Sequence, residues 1–235
     1  MANMMGNYAL QAVEHDMVGI ALSNGAPMVA PWGGRDPFFG TNPVAIGVPA
    51  ANQPPILIDM SAGSFSAGKT IEAIKAGGKA ASPHLVDREG RYTDDTRKIN
   101  LDWNHMPVGG SLVAHGPRGY GWTIFVEIIG GLLSGARASY ENTVFPLESA
   151  SWEFGQFFMA IDPARLGLLD AFLDDVDRFV GTLVSGAPAV GFESVTVHGQ
   201  KAHALEEARR KGGVPLLRED FEWFENVCAG LNVPL

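Results

Sequence analysis

Glycine and proline decide the fold class of this chain before any motif is read: 29 glycines and 15 prolines are scattered over 235 residues without a repeating period. Each of these residues weakens or ends a helix, so a helical bundle is excluded, and the missing period excludes a collagen-like rod. A hydrophobic share of 46% against 18% charge is too apolar for a disordered chain. What remains is a loop-rich α/β or α+β fold, long enough for one large core or one core and a small lobe.

Periodicity divides the chain further. From about Asn7 to Met17 the residues Tyr8, Ala12, Val13 and Met17 share a helical stripe, and the apolar run Val18 to Leu22 then reads as a buried strand. Short strands are expected at Val44 to Val48 and Ile56 to Asp59, with a long irregular loop, Asn24 to Pro43, before the first of them. Ser66 to Ala76 reads as a short helix with Ile71 and Ile74 inward, and Gly77 to His105 as a surface excursion turning at Asp87 to Gly90. Phe125, Ile128, Ile129, Leu132 and Leu133 make an all-round apolar core helix behind a glycine cluster. A strand follows at Gln156 to Ile161 and an amphipathic helix at Leu168 to Leu183. A short strand at Ser194 to Val197 and helices at Gln200 to Lys211 and Asp220 to Leu231 complete the pattern, the last with Phe221, Phe224, Cys228 and Leu231 inward. The expected division is a core over 1–165 and a C-terminal helical part over 166–235 packed with it as one structural unit.

Charge and titratable residues narrow the function. A net charge of −9, with only Arg209, Arg210 and Lys211 as a basic run, argues against a nucleic-acid partner. The acidic set Asp174, Asp175 and Asp177 reads as solvated helix surface. No two of the six histidines are spaced i, i+4 on a helix with a carboxylate partner, so no metal site is expected. The single cysteine, Cys228, fits a reducing cytoplasm and reads as a buried apolar residue. No secretory leader and no apolar run long enough to span a bilayer stands in these residues, which gives the expectation of a soluble cytoplasmic protein without a membrane partner.

Three segments carry candidate chemistry. The loop Ser23 to Pro43 combines prolines that fix φ with glycines that admit a ligand to the backbone, although an ordered loop that merely covers the core would look the same. At Ile58 to Ser66 a strand runs out into Asp59 and small hydroxyl residues before a helix, a seat for phosphate or, equally, a Ser66 cap with Asp59 bonded to loop amides. Gly116, Gly119 and Gly121 precede the apolar helix and flank Arg118, which offers charge to a phosphate or carboxylate. Their spacing is not the Rossmann G-x-G-x-x-G. G-x-S-x-G is absent from the second segment, so no serine-hydrolase elbow is expected there.

Six short motifs stand in order along the chain: Val-Ala-Pro-Trp-Gly-Gly from Val29, Gly-Thr-Asn-Pro from Gly40, Ile-Asp-Met-Ser from Ile58, Gly-Pro-Arg-Gly-Tyr-Gly from Gly116, Val-Glu-Ile-Ile-Gly-Gly-Leu-Leu-Ser-Gly from Val126, and Gly-Gln-Phe-Phe-Met-Ala-Ile-Asp-Pro from Gly155. Together they resemble the malate/L-lactate dehydrogenase type 2 family, which includes ureidoglycolate dehydrogenase, 2,3-diketogulonate reductase and piperideine-2-carboxylate reductase. The resemblance implies a non-Rossmann NAD(P)-binding fold, a mostly antiparallel sheet wrapped by helices, working as a homodimer. It implies an oxidoreductase moving a hydride between NAD or NADP and a small 2-oxo or 2-hydroxy acid or related imine. It also implies that Asn24, Gly25, Asp59, Met60, Ser61, Pro117, Arg118, Gly119, Gly199, Gln200 and Lys201 contact the cofactor, while Thr41 faces the substrate carboxylate.

The chain departs from the family pattern at three places. The Arg-Ser-His-Gly type motif, whose histidine donates the proton, has no counterpart here, so the expectation is a chain cut short before its catalytic histidine and inactive alone, with no catalytic residue assigned. The alternative is a non-catalytic nucleotide-binding or dimerisation remnant. Arg118 stands where the family has lysine, and Ala80 to His115 matches only loosely.

Overall fold

The structure, a computed structural model, describes residues 4–64, 73–74, 78–79, 85–87, 89–98, 105–110, 116–143 and 152–234. Two compact units are present, Met1–Gly199 and Gln200–Leu235.

The first unit is organised by a four-stranded sheet of β1 (Val18–Ser23), β2 (Val44–Val48), β3 (Ile56–Met60) and, further along the chain, Gln156–Ile161, here called β6. The order is β3-β2-β1-β6, and every neighbouring pair is antiparallel. Strand alternation sends Ala21, Ala45 and Leu57 to one face, where Met5 and Ala9 of α1 (Met5–Val13) cover them. Ile20, Leu22, Val44 and Ile46 go to the other face, against Val126 and Ile129. The paired glycines Gly19 and Gly47 let α1 lie directly on the sheet, since a Cβ on Gly19 would stand 2.2 Å from the Ala9 carbonyl oxygen. α1 ends earlier than its apolar stripe predicts. Asp16 takes a left-handed conformation with φ 57 and returns the chain to β1, leaving Met17 outside the helix.

The expected buried strand at Ile56 is instead the sheet edge, so Asp59 and Met60 are exposed. The strand expected at Ser194 to Val197 is not formed. Leu57 N donates to the His198 carbonyl at 3.1 Å on that edge before Gly199, at φ +93, turns the chain away.

The long loop after β1 is ordered by pairing: Val29 bridges both Phe39 and His105, and all three are buried. The surface excursion expected after Gly77 is partly interior. β4 (Leu85–Val86) and β5 (Tyr92–Thr93) form a small hairpin, and Val86 and Met106 bury against Ala30. Its turn falls at Asp87 to Gly90 as expected, with Gly90 N bonded to the Asp87 carbonyl and the Asp87 carboxylate accepting from Glu89 N and Arg91 N. Most of the helix expected at Ser66 to Ala76 lies outside the described residues, and Ile74, expected inward, is exposed.

The glycine cluster does not precede a helix; it begins one. α2 spans Gly116–Val126, passes into a π-helical turn, Glu127–Gly131, and ends in a 3-10 turn at Leu132–Ser134. Nor is the segment a core helix. It lies on one sheet face, so Val126 is buried while Phe125, Ile128, Leu132 and Leu133 remain exposed. α3 (Leu169–Val184) buries Val176 and Val180. Asp174 and Asp175 are exposed as expected, whereas Asp177 is half-buried and its carboxylate accepts from Asn52 N, Asn52 Nδ2 and Gln53 N, capping the turn between β2 and β3.

The second unit holds α4 (Gln200–Gly212) and α5 (Arg218–Leu231), neither with a buried residue. Phe221, Phe224 and Leu231, expected inward, are exposed and Cys228 is half-buried. No helix of the described residues is long and apolar enough to cross a membrane.

Candidate functional site

Strand ends and the start of α2 gather most of the expected residues. Thr41, in the loop entering β2, and Ser61, just beyond β3, are joined directly: Ser61 Oγ donates to the Thr41 carbonyl at 2.9 Å, and Ala62 N donates to the same oxygen at 2.8 Å. Ser61 Oγ also accepts from Gly63 N at 2.8 Å, which shapes the turn. This turn is held on α2, where Thr123 Oγ1 donates to the Ala62 carbonyl at 3.3 Å and to the Gly119 carbonyl at 3.0 Å.

Asn24 and Gly25 lie at the end of β1. The Asn24 side chain is 3% exposed and turned inward: Oδ1 accepts from Gly155 N, and Nδ2 donates to the Arg137 carbonyl and to Glu127. Gly25 and Gly40 pass in contact; a Cβ on Gly40 would stand 2.5 Å from Gly25 N.

Asp59, at the edge, accepts from the backbone of Gly6. Pro117 and Arg118 are exposed on the first turn of α2, while Gly119 is buried against Val108, whose carbonyl oxygen a Cβ would meet at 1.6 Å. Gly119 therefore serves close packing here rather than a flexible turn. Gly199 sits on Leu57 at the outer edge of β3. Gln200 and Lys201 open α4 and belong to the second unit.

A groove of about 360 Å³ runs along α2, lined by Arg118, Gly121, Trp122 and Phe125. Trp122 and Phe125 meet edge to face at 5.5 Å and are both half exposed. The first turn of α2 carries no acidic residue, so Arg118 adds to the positive end of the helix rather than being neutralised there. A Cβ at Gly121 would meet nothing within 4 Å, so this stretch of wall is open. Among the described residues no cluster of His, Cys, Asp and Glu could hold a metal.

The motif pattern did not single out the buried centre. Glu127, 5% exposed, accepts hydrogen bonds from Asn24, Asn42 and twice from Ser139. One signal was available: Glu127 is the sole charge between Arg118 and Arg137, and a carboxylate inside such an apolar stretch must be paired if buried.

A four-stranded antiparallel sheet with α1 on one face and α2, which carries the groove, on the other defines a mixed α/β domain. The malate/L-lactate dehydrogenase family profile matches residues 2–224, and the chain belongs to that family. It is 30% identical over 97% of its length to a malate dehydrogenase of Pyrococcus horikoshii, 63% of which it covers. A (2R)-3-sulfolactate dehydrogenase (NADP(+)) of Chromohalobacter salexigens is 29% identical over 82% of the chain, which covers 54% of that protein. The crystal structure of malate dehydrogenase from Entamoeba histolytica superposes with a TM-score of 0.90 at 26% identity, covering 98% of this chain and 65% of that one. The chain thus spans less than two thirds of the length of these relatives.

Proposed function

We propose that these residues form the cofactor-binding body of an NAD(P)-dependent oxidoreductase acting on a small 2-oxo or 2-hydroxy acid of the malate or lactate type, or a related cyclic imine. The observation that carries this is the groove on α2. A dinucleotide needs a cation for phosphate and flat apolar walls for a ring, and Arg118 with Trp122 and Phe125 supplies both in a volume at the lower end of small-molecule sites. The malate and NADP(+)-linked sulfolactate dehydrogenase names of the relatives agree with it. The groove has room for a ring and an adjoining phosphate, and the rest of the cofactor extends toward the strand ends.

When bound, the nicotinamide cofactor supplies or accepts the hydride. The chain's residues bind and orient. Arg118 and the N-terminal amides of α2 pair with phosphate, while Pro117, which has no N–H to donate, packs beside the ligand. Asp59 keeps a carboxylate oxygen for ribose hydroxyls, Met60 and Ser61 line the same strand end, and Gly25 and Gly199 admit the ligand close to the backbone. Asn24 and Gly119 act from behind by shaping the Gly25 loop and the start of α2. Thr41 receives the substrate carboxylate through its hydroxyl. No residue of 1–235 matches the family's proton-donor motif, so none of them is assigned that step. In this account the fold is non-Rossmann, the assembly is a homodimer and the compartment is the cytoplasm.

The test is emission from the tryptophans during NADH and NADPH titration of the 235-residue chain. Of five tryptophans, Trp122 lines the groove, so saturable quenching that Trp122→Phe largely removes is the expected result. Quenching unaffected by Trp122→Phe would place the ligand elsewhere.

A further inference from the structure

Glu127 gathers four donors from separate stretches of chain: Ser139 N at 2.7 Å, Ser139 Oγ at 2.6 Å, Asn42 Nδ2 at 2.8 Å and Asn24 Nδ2 at 3.3 Å. The residue opens the π-helical turn Glu127–Gly131, an interruption of regular helix that often marks a functional position. The glycines of that turn let β1 approach, since a Cβ on Gly131 would stand 2.6 Å from Asn24 Nδ2. Helix formation requires none of this.

We infer that Glu127 is a positioning residue for the substrate: by locking Asn42 it fixes the backbone that presents the neighbouring Thr41 hydroxyl to the acid's carboxylate. This rests on the functional reading above, in which Thr41 faces that carboxylate.

Asn42 is fully buried and held at φ 41, in the left-handed region that a non-glycine residue keeps only under constraint. The constraint is its side chain. Nδ2 donates to the Thr123 carbonyl at 3.2 Å and to Glu127 Oε2, acceptors one helical turn apart on α2. Because both partners accept, the amide has one orientation, and Oδ1, beside Gly40, has no partner among the described residues. On the other side of Thr41's peptide, Ser61 Oγ and Ala62 N hold the carbonyl. Thr41 is thereby fixed from both directions.

The hydrogen-bond inventory predicts what Glu127→Gln does. Ser139 N, Asn24 Nδ2 and Asn42 Nδ2 can only donate, and only Ser139 Oγ can turn to accept. The glutamine NH₂ therefore settles on the Ser139 Oγ side, where it faces Asn42 Nδ2 donor to donor. Asn24 keeps Gly155 and Arg137 in any case. The loss falls on Asn42, and so on the acid rather than the cofactor.

The experiment titrates the NADH complex of the 235-residue chain with oxamate, a 2-oxo acid mimic, following nicotinamide emission, and records NADH affinity and melting temperature. Glu127→Gln should weaken oxamate by about tenfold while NADH affinity stays within about twofold. Asn42→Gly, which accepts the positive φ without strain, should reproduce that split even if Glu127→Gln fails to fold. Val180→Ala, buried in α3 away from the network, is the matched destabilised control and should lower the melting temperature with neither affinity changed. Oxamate affinity near the parent's in the folded variants overturns the inference, as does a joint fall of both affinities. A parent that binds NADH but no oxamate overturns it and leaves the cofactor assignment standing. A parent that binds no dinucleotide overturns the functional reading and this inference together.

Discussion

Asp59 Oδ2 accepts a 2.8 Å hydrogen bond from the backbone N–H of Gly6, so the carboxylate that ends β3 also satisfies the first turn of α1. Gly6 permits the contact, because a Cβ there would stand 2.7 Å from that oxygen. The bond does for α1 what an N-cap side chain does elsewhere, and the Met4 cap provides none. Asp59→Ala should therefore lower unfolding stability by about 0.5–2 kcal/mol, besides any effect on cofactor. Urea midpoints of the two proteins measure it, and an unchanged midpoint would show that the bond contributes nothing.

Two glycines should respond in opposite directions to the same substitution. Gly19→Ala drives a methyl into the Ala9 backbone of α1, which no rotamer change relieves, and should destabilise by about 1–3 kcal/mol or more. Gly181→Ala, inside α3 with nothing within 4 Å, should stabilise by about 0.5–1 kcal/mol. Chemical denaturation of both variants gives the signs, and a stabilised Gly19→Ala would contradict the seating of α1 on the sheet.

The Asp177 cap makes part of the stability pH-dependent. Burial works against its charge, yet the hydrogen bonds from Asn52 and Gln53 outweigh it and hold the carboxyl below its ordinary 3.8. A depressed folded value contributes stability that is fully present above the unfolded pKa and is lost as pH falls through the folded one. The melting temperature of the parent should exceed that of Asp177→Asn by a few degrees near neutrality, and the gap should close only below about pH 4. A gap that stays open at lower pH, or one that closes between pH 5 and 7, would assign it to another group.

The sheet was legible because its strands are short, apolar and bounded by glycine or proline: β2 falls where alternation places it, and β1, β3 and β6 within one residue. Burial was less legible. Apolar content around Phe125 to Leu133 does not say how many faces a neighbour covers, and here the sheet covers one. The turn-like Gly116 to Gly121 proved helical because its glycines admit Val108 and Trp32, contacts from distant sequence. Asp177 looked like surface for the same reason, since its donors lie on a turn 124 residues away. Asn42 and Glu127 stand in motif runs, yet with Thr123 and Ser139 they become a network only once the π turn brings Glu127 between segments distant in sequence.

Turnover separates binding from chemistry. On the proposed function, the 235 residues should bind a nicotinamide cofactor yet reduce pyruvate, oxaloacetate or cyclic imino acids at no enzymatic rate, because none of them is assigned as the positioned general acid, whose help is worth about 10²–10⁴-fold. The Thr41 hydroxyl is no competent acid near neutral pH. NADH and NADPH oxidation at saturating substrate decides it, and robust turnover by these residues alone would mean that a donor among them went unassigned.

The central claim is that the cationic groove on α2 binds a nicotinamide dinucleotide, and calorimetric titration of NADH and NADPH into the parent and Arg118→Ala tests it most directly. Arg118 is exposed and makes no ion pair within α2, so its removal should leave the fold intact and act on the ligand alone. The account predicts saturable binding of at least one dinucleotide at one site per chain, weakened about tenfold or more by Arg118→Ala. Saturable binding of neither dinucleotide to the parent, or equal affinity in Arg118→Ala, would contradict it.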